Sequence, residues 1–376
     1  MLPKSILNGV AGLIALSATI VLGVAVTNTD AKAANFEGKR IQIIVPFNEG
    51  GGTDSYSRFL QQYMQKYLPG NPRILVINKP GAGGILGTNH FQQRATKDGT
   101  WVMAVSTSVM ANYMLGDPRI KFDLKDYIPI ILSPRSSLVY VRKDLGLQKI
   151  KTLKGKMQKL RSTPVEQLVF GGKTPTSAGL QYRLGLSLLG VEVKSVWGMK
   201  GNGPMALAFE RGEFLINYDN SLSFLNNRQK LLEDGVAVPI YTLGIVDGNG
   251  KPQRDPTWPN VPSYFEAYEA LHGKKPSGPG FEAWLALMQM SSGMNKSWNL
   301  PAGTPKDIVE AWRTAARKML KDPDFLKRRD KILGKYPQTI GDEAIAIRDT
   351  ALTLSPKARG YLEQYVKVRY GINLGK

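Results

Sequence analysis

Short β-branched apolar runs alternate along this chain with stretches whose apolar residues recur every three to four positions. "KRIQIIVPF" (39–47) is one such run ending at proline, which predicts a buried strand. "NEGGGTD" follows it. Tyr56, Phe59, Leu60, Tyr63, Met64, Tyr67 and Leu68 then recur at helical spacing. "RILVIN" (73–78) predicts a second strand, and "KPGAGGILG" leads into a helix ending near Ala95. Asp98-Gly99 turns the chain into a third strand, "TWVMAVS" (100–106). Strand, glycine-rich loop and helix, twice over, predict a mostly parallel sheet covered by helices.

A second α/β unit follows "YIPIILS" (127–133). Its predicted strands are "SLVYVRK" (137–143), "EQLVFGG" (166–172), "VEVKSVWG" (191–198), "EFLINYD" (213–219) and "VAVPIYTLG" (236–244). Helices are predicted over 177–189 and from Pro204 to Arg211. Residues 245–280 are rich in glycine and proline without apolar periodicity, and are expected to form a long loop. Helices return in the last third. Thr304-Pro305-Lys306-Asp307 reads as a capping-box start with proline at the first helical position. Ile308, Val309, Trp312, Ala316, Met319 and Leu320 form the apolar face of that helix.

Length and composition set bounds on this picture. A chain of 376 residues suits two lobes, and 42% hydrophobic residues are enough to fill their cores. The formal charge of +20 suits an anionic partner, whether nucleic acid, membrane or small molecule. The basic residues are interleaved with acidic ones, as in "LKRRDKILGK", and no basic stripe alternates with aromatics as a nucleic-acid groove requires. No nucleic-acid partner is expected. The absence of cysteine removes disulfides, thiolate catalysis and cysteine-ligated metals. With His90 and His272 the only histidines, a histidine-rich metal site is excluded, and both read as surface or helix-end residues. No metal or cofactor is expected.

The N-terminus has the pattern of an export signal. Lys4 precedes an apolar stretch from Ile6 to Val26, and Ala31-Lys32-Ala33 offers a cleavage site before Ala34. An uncleaved anchor is the competing reading, because the stretch approaches the ~20 residues of a spanning helix. Cleavage would place the mature protein in the periplasm, as a monomer.

The candidate chemistry lies in "VPFNEGGGTD" (45–54) and "NKPGAGGILG" (78–87). Each follows a parallel strand and opens a helix, which sets free backbone N–H groups and the positive end of a helix dipole at the sheet's carboxyl edge. Gly50, Gly51, Gly52, Gly81, Gly83 and Gly84 leave the backbone open to a ligand, and Thr53 and Ser55 add hydroxyl donors. Asp54 is expected to hold loop N–H groups and keep the first loop in shape. Two facing anion nests suit a carboxylate held by main-chain donors. "GAGGILGT" lacks a P-loop lysine and the glycine spacing of a dinucleotide fingerprint, which argues against a nucleotide.

These residues resemble the solute-binding proteins of tripartite tricarboxylate transporters, the Bug-type periplasmic receptors. That family carries V-P-[FY]-x-x-G-G-x-x-D and N-[RK]-P-G-A-G-G-x-x-G after its first two strands. Here they stand as Val45, Pro46, Phe47, Gly50, Gly51 and Asp54, then Asn78 to Gly84 and Gly87. Asp98-Gly99-Thr100, the segment Pro259, Val261, Pro262, Ser263 and Glu266, and Pro301 to Pro305 also match. The resemblance implies an α/β fold of two lobes, a periplasmic-binding-protein or Venus-flytrap architecture of type II, each lobe a mostly parallel sheet flanked by helices. Residues 34–134 and 246–376 would form the first lobe and 135–245 the second, after a signal peptide at 1–33. It also implies a non-enzymatic receptor that delivers a small carboxylate, a di- or tricarboxylate or an aromatic acid, to transporter membrane subunits.

On that resemblance the ligand contacts are Phe47, Gly51, Gly52, Thr53 and Asp54 in the first loop and Ala82, Gly83 and Gly84 in the second. Ser106 and Thr107, with Ser108, face the cleft after the third strand. The second lobe offers Thr176, Ser177 and Ala178, then Trp197-Gly198, and Asp219 at the end of "EFLINYD". "VWGMKGNGPMALAFERGE" departs from the family's shorter stretch and lacks its arginine, so ligand identity does not carry over. Two other classes compete. One is a hydrolase using Ser106 or Ser108 with His90, although no G-x-S-x-G elbow is present. The other is a surface that binds anionic polymers through net charge.

Overall fold

A computed structural model describes residues 34–246 and 252–374. The predicted signal peptide, 1–33, lies outside the described residues. The chain begins with β1 (Arg40–Val45), α1 (Gly52–Tyr67), β2 (Arg73–Asn78), α2 (Ile85–Arg94), β3 (Trp101–Ser106), α3 (Thr107–Met114) and β4 (Ile128–Ser133). Next come β5 (Ser137–Arg142), α4 (Leu153–Ser162), β6 (Val169–Gly171), α5 (Gly179–Leu188), β7 (Lys194–Val196) and α6 (Asn202–Glu210). After these lie β8 (Ile216–Asn220), α7 (Ser221–Asn227), α8 (Gln229–Glu233) and β9 (Ala237–Thr242). The remainder is β10 (Ile245–Val246), β11 (Pro252–Gln253), α9 (Tyr264–His272), α10 (Pro279–Gly293), β12 (Lys296–Leu300), α11 (Lys306–Met319), α12 (Pro323–Leu333), α13 (Asp342–Ala351) and α14 (Pro356–Tyr370).

Two five-stranded sheets organise these elements into a two-lobe α/β fold. Their strand orders are β2-β1-β3-β12-β4 and β7-β6-β8-β5-β9. The orders correspond position by position. In each sheet one strand, β12 or β5, runs antiparallel to its neighbours, and the remaining strands share one direction. An antiparallel strand in this place starts where its neighbours end. Lys296 therefore pairs with Ser106 and Ser133, and Ser137 pairs with Asn220. This register brings the first residues of β12 and β5 to the same sheet edge as the glycine loops.

One large apolar cluster runs through both lobes, from Ile43, Val45 and Met103 to Val139, Phe170 and Leu180. A smaller one, with Leu138, Tyr140, Phe209 and Phe224, covers the other face of the second sheet. The helix α10 packs against α5 and also against α3, α13 and α14.

Three local expectations need correction. The stretch 245–280 is not a long loop: it holds the hairpin β10–β11 and the helix α9. Ser263 caps α9 and Glu266 returns the bond, a complete capping box. Tyr264, Phe265 and Leu271 are buried, with Tyr264 stacked on Trp284 at 3.9 Å, so tertiary packing supports a helix too short for visible periodicity. Second, Thr304 does not cap α11. Pro305, in extended geometry, occupies the cap position, and the Thr304 hydroxyl donates to the Pro301 carbonyl at 2.8 Å. Third, "KSWNL" is a central strand, β12, where the sequence predicted no strand.

Candidate functional site

A cavity of about 40 Å³ lies beyond the carboxyl ends of β1, β3, β6 and β8, between the two sheets. A water needs roughly 10–15 Å³ on the same measure, so there is room for a few water-sized groups and none for a nucleotide. Phe47, Gly51, Gly52 and Thr53 line it from the first loop, and Ser106, Thr107 and Ser108 from the start of α3. Lys173, Ala178 and Tyr182 come from the β6–α5 segment. Asn202, Tyr218 and Asn220 close it from α6 and β8, and Ser137, Asn295 and Lys296 from the antiparallel strands.

Five helices begin at this cavity: α1, α3, α5, α6 and α7. Asn220 caps α7 by accepting from the Ser223 N–H at 3.1 Å. The other four have no side-chain cap. Their first-turn N–H groups need acceptors, and four dipoles add positive potential to one small space. The Thr107 hydroxyl, buried on the wall, also has no hydrogen-bond partner among the described residues. The Thr107 N–H already donates to the Asn295 carbonyl at 3.3 Å and the Ala178 N–H to Ser108 Oγ at 3.3 Å; the N–H groups that remain open make this edge suited to an anion.

Two lysines add full charges. The Lys173 amine donates to Asn202 Oδ1 at 2.8 Å and to the Tyr218 hydroxyl at 3.0 Å, over the face of Tyr218. Its pKa is lowered to about 8, chiefly by burial, which Asp219 opposes and the like charge of Arg183 reinforces. The Lys296 amine donates to the Asn295 carbonyl at 3.1 Å and to Asn295 Oδ1 at 2.5 Å. Burial pushes it well below the ordinary lysine value, and the like charges of Arg135 and Lys173 act in the same direction. Every hydrogen-bonded partner of the two amines is neutral.

A stability prediction follows from these shifts. Both amines have lower pKa values folded than unfolded, so between the two values the unfolded chain holds more protons and stability rises with pH. For the ligand-free protein this contribution is lost as pH falls from about 10 towards 8 for Lys173, and further down for Lys296. Melting temperature should therefore climb from pH 7 to pH 9.5, and Lys296→Met should flatten the climb. A wild-type melt falling over that interval would contradict this assignment.

Asp219 stands behind the wall and not on it. It accepts from Asn202 Nδ2 at 3.1 Å and from the Tyr140 hydroxyl at 2.9 Å, which fixes Asn202 with its oxygen toward Lys173. Burial raises the Asp219 pKa, and Arg228 opposes that rise. Asp54 also lies off the wall. Its carboxylate accepts from the Gly50 N–H at 3.0 Å, from Asn78 at 3.0 Å and from Arg58 at 2.9 Å, tying the first glycine loop to the second strand's end.

The second loop faces elsewhere. Ala82, Gly83 and Gly84 do not line the cavity. A Cβ on Gly84 would lie 2.9 Å from the Phe47 ring, and one on Gly83 2.7 Å from Asn112 and 2.9 Å from the Thr174 hydroxyl. The loop therefore seats Phe47 and joins the lobes through Asn112. That amide donates to the Gly83 carbonyl and accepts from the Thr174 and Thr176 hydroxyls. Ser177 bonds back to the Thr174 carbonyl at 2.7 Å, while the Ala178 N–H donates to Ser108 Oγ at 3.3 Å. Trp197 and Gly198 also lie outside the cavity lining, with Trp197 packed on Arg183 and against Tyr370. His90 sits beside Trp101 and does not line the cavity either.

Sequence reasoning did not single out Lys173, Asn202, Asn220 or Lys296. The first lies inside "GGKTPTSAG", where the lysine after two glycines was the available signal. Lys296 had none, because β12 itself was not recognised.

The family model for the tripartite tricarboxylate transporter family receptor matches residues 56–333. The chain belongs to that family. It is a receptor and not an enzyme. Among relatives, the "UPF0065 protein in tcbD-tcbE intergenic region" of Pseudomonas sp. strain P51 is 25% identical over 334 residues, covering 86% of this chain and 88% of that one. Periplasmic binding protein BugD is similar in structure, with TM-score 0.64 and 19% identity over 87% of this chain and 97% of the other. MatC from Rhodopseudomonas palustris, solved with bound malate, gives TM-score 0.62 and 21% identity over 87% and 99%. The periplasmic-binding-protein fold is thereby shown.

Proposed function

We propose that this receptor captures a small carboxylate in the cleft between its lobes, outside the cytoplasm, and hands it to the membrane subunits of a tripartite tricarboxylate-type transporter. The observation that carries the reading is the convergence of four uncapped helix N-termini on one cavity. Anions are the ligands such an arrangement recognises. Cavity size favours a short acid over a nucleotide or polymer. The malate bound to MatC supports the same chemistry.

A thermal-shift screen of di- and tricarboxylates and aromatic acids tests it. A ligand at a hundred times its Kd should stabilise the folded state by about 2.7 kcal/mol, enough to raise the melting temperature measurably. No shift with any acid, together with steeply salt-dependent retention on a polyanion column, would instead favour the polymer-binding reading.

A further inference from the structure

Like charges repel along a helix, and cations in its first turn oppose the helix dipole, so lysines that find no acid in their own chain cost stability. One segment of the second lobe carries such a cluster. Lys149, Lys151, Lys154, Lys156, Lys159 and Arg161 follow one another with no acidic residue between Leu145 and Val165, unlike the interleaved charges of the last third. Among the described residues, none of these six side chains makes an ion pair or hydrogen bond. The nearest acids in sequence are Asp144, held by Arg142 at 2.6 Å, and Glu166, beyond the end of α4.

The helix forms because its other face is buried. Met157 and Leu160 point inward, α9 packs against α4, and Thr152 caps it by accepting from the Gly155 N–H at 3.1 Å. The basic residues take the rest of the surface: Lys156 is half-buried and the others are exposed. Strand direction sets where this surface lies. β5 starts at the cleft with Ser137 and ends at Arg142 on the far edge of its sheet, and β6, parallel to β8, starts from that far edge. The segment joining them therefore sits at the end of the lobe opposite the cavity, and none of the six residues lines the cavity.

The side chains determine what such a patch fits. Interfaces between proteins are rich in aromatic residues and arginine and poor in lysine. Here all but Arg161 are lysines, no aromatic residue lies between Leu145 and Val165, and no large apolar side chain of α4 is exposed. Ammonium groups on flexible stems match a diffuse layer of phosphates, which demands no fixed geometry. We propose that this end of the second lobe docks on an anionic phospholipid surface, by charge alone and without inserting. Each basic residue held near such a surface strengthens binding about fivefold, and the attraction fades within about 10 Å at moderate salt. Docking is thus reversible and salt-sensitive. Because the patch lies opposite the cleft, a docked receptor keeps its cavity uncovered and can load while held at the membrane.

Vesicle co-sedimentation tests this with the chain from Ala34, which contains both sheets and both apolar clusters and lacks the apolar N-terminal stretch. Phosphatidylcholine vesicles are compared with vesicles holding about one-third phosphatidylglycerol, at about 50 mM and about 500 mM salt. Binding should require phosphatidylglycerol and disappear at high salt. Lys151→Gln, Lys154→Gln and Lys159→Gln together should weaken it about a hundredfold. A matched triple on α11 and α12, Lys318→Gln, Lys321→Gln and Lys327→Gln, removes the same charge and should leave binding nearly unchanged. Melting curves check that every variant is folded. No sedimentation with either vesicle would overturn the proposal. Equal loss in the two triples would also overturn it, by assigning the attraction to net charge. Retention on a polyglutamate column that only the α4 triple loses, without vesicle binding, would give the surface to an acidic protein instead.

Discussion

Valine at Gly83 should abolish ligand capture while both sheets remain folded. Gly83 has φ +65°, a backbone state that a β-branched residue resists. Its Cβ would meet Asn112 Nδ2 at 2.7 Å, Thr174 Oγ1 at 2.9 Å and Ser177 Cβ at 3.3 Å. These are the groups that join the two lobes, and none can retreat alone. Asn112 is bonded to Gly83, Thr174 and Thr176, and Ser177 is bonded to Thr174. The same segment supplies Lys173 and Ala178 to the cavity. A wedge here holds the lobes apart and disperses the groups that should surround the ligand, so affinity should drop by a hundredfold or more, roughly 3 kcal/mol. Thr53→Ala, which removes one hydroxyl from the wall, should cost on the order of tenfold. Calorimetry reads the affinity and circular dichroism the fold. Gly83→Val binding as tightly as wild type would show that the Gly83–Thr174 contact has no part in capture.

The largest loss of stability is expected at Arg183, which the ligand need never touch. Its guanidinium is buried between the rings of Phe170 and Trp197, at 4.3 and 4.2 Å from their centroids. It donates to Ser195 at 2.7 Å, to the Phe170 carbonyl at 2.8 Å, and to the Gly171 and Gly179 carbonyls at 3.1 and 3.3 Å. Burial lowers its pKa to about 10, still far above neutrality, so the charge is retained. Arg183→Ala leaves buried acceptors unpaired and two aromatic faces uncovered, which together should cost about 3–5 kcal/mol. Arg183→Lys should recover little, since a point charge cannot reproduce the planar fork or the stacking. Urea denaturation measures both. An unchanged midpoint for Arg183→Ala would contradict this account.

The lower stability expected of Arg183→Ala has a consequence for binding. Arg183 opens no route to the ligand, yet it holds the ends of β6 and α5, between which Lys173 is suspended. Positioning and stability therefore meet in one side chain, and a weakened Arg183 variant should also bind ligand less well.

Much of the receptor could be read without coordinates because its signals are local. A β-branched run followed by glycines and a periodic helix states its own geometry within about thirty residues, and the strand–loop–helix units at 39–68 and 73–94 formed as such. Helix dipoles come with that order, so a sheet edge rich in main-chain donors was legible too. Tertiary structure decided the charge of the cleft. Lys296 reaches Ser106 because β12 inserts antiparallel between β3 and β4, a pairing across nearly two hundred residues that no local periodicity encodes. Lys173 follows a predicted strand, but only burial against Tyr218 and Asn202 turns it from a surface charge into a buried one. The second glycine loop carried as strong a local signal as the first, yet the lobe it meets turns it to seating Phe47 and bonding Asn112. Local sequence thus determined where main-chain donors gather, since backbone geometry is set by near neighbours. Which side chains join them was decided by strand register and lobe contact, which depend on residues far apart in the chain.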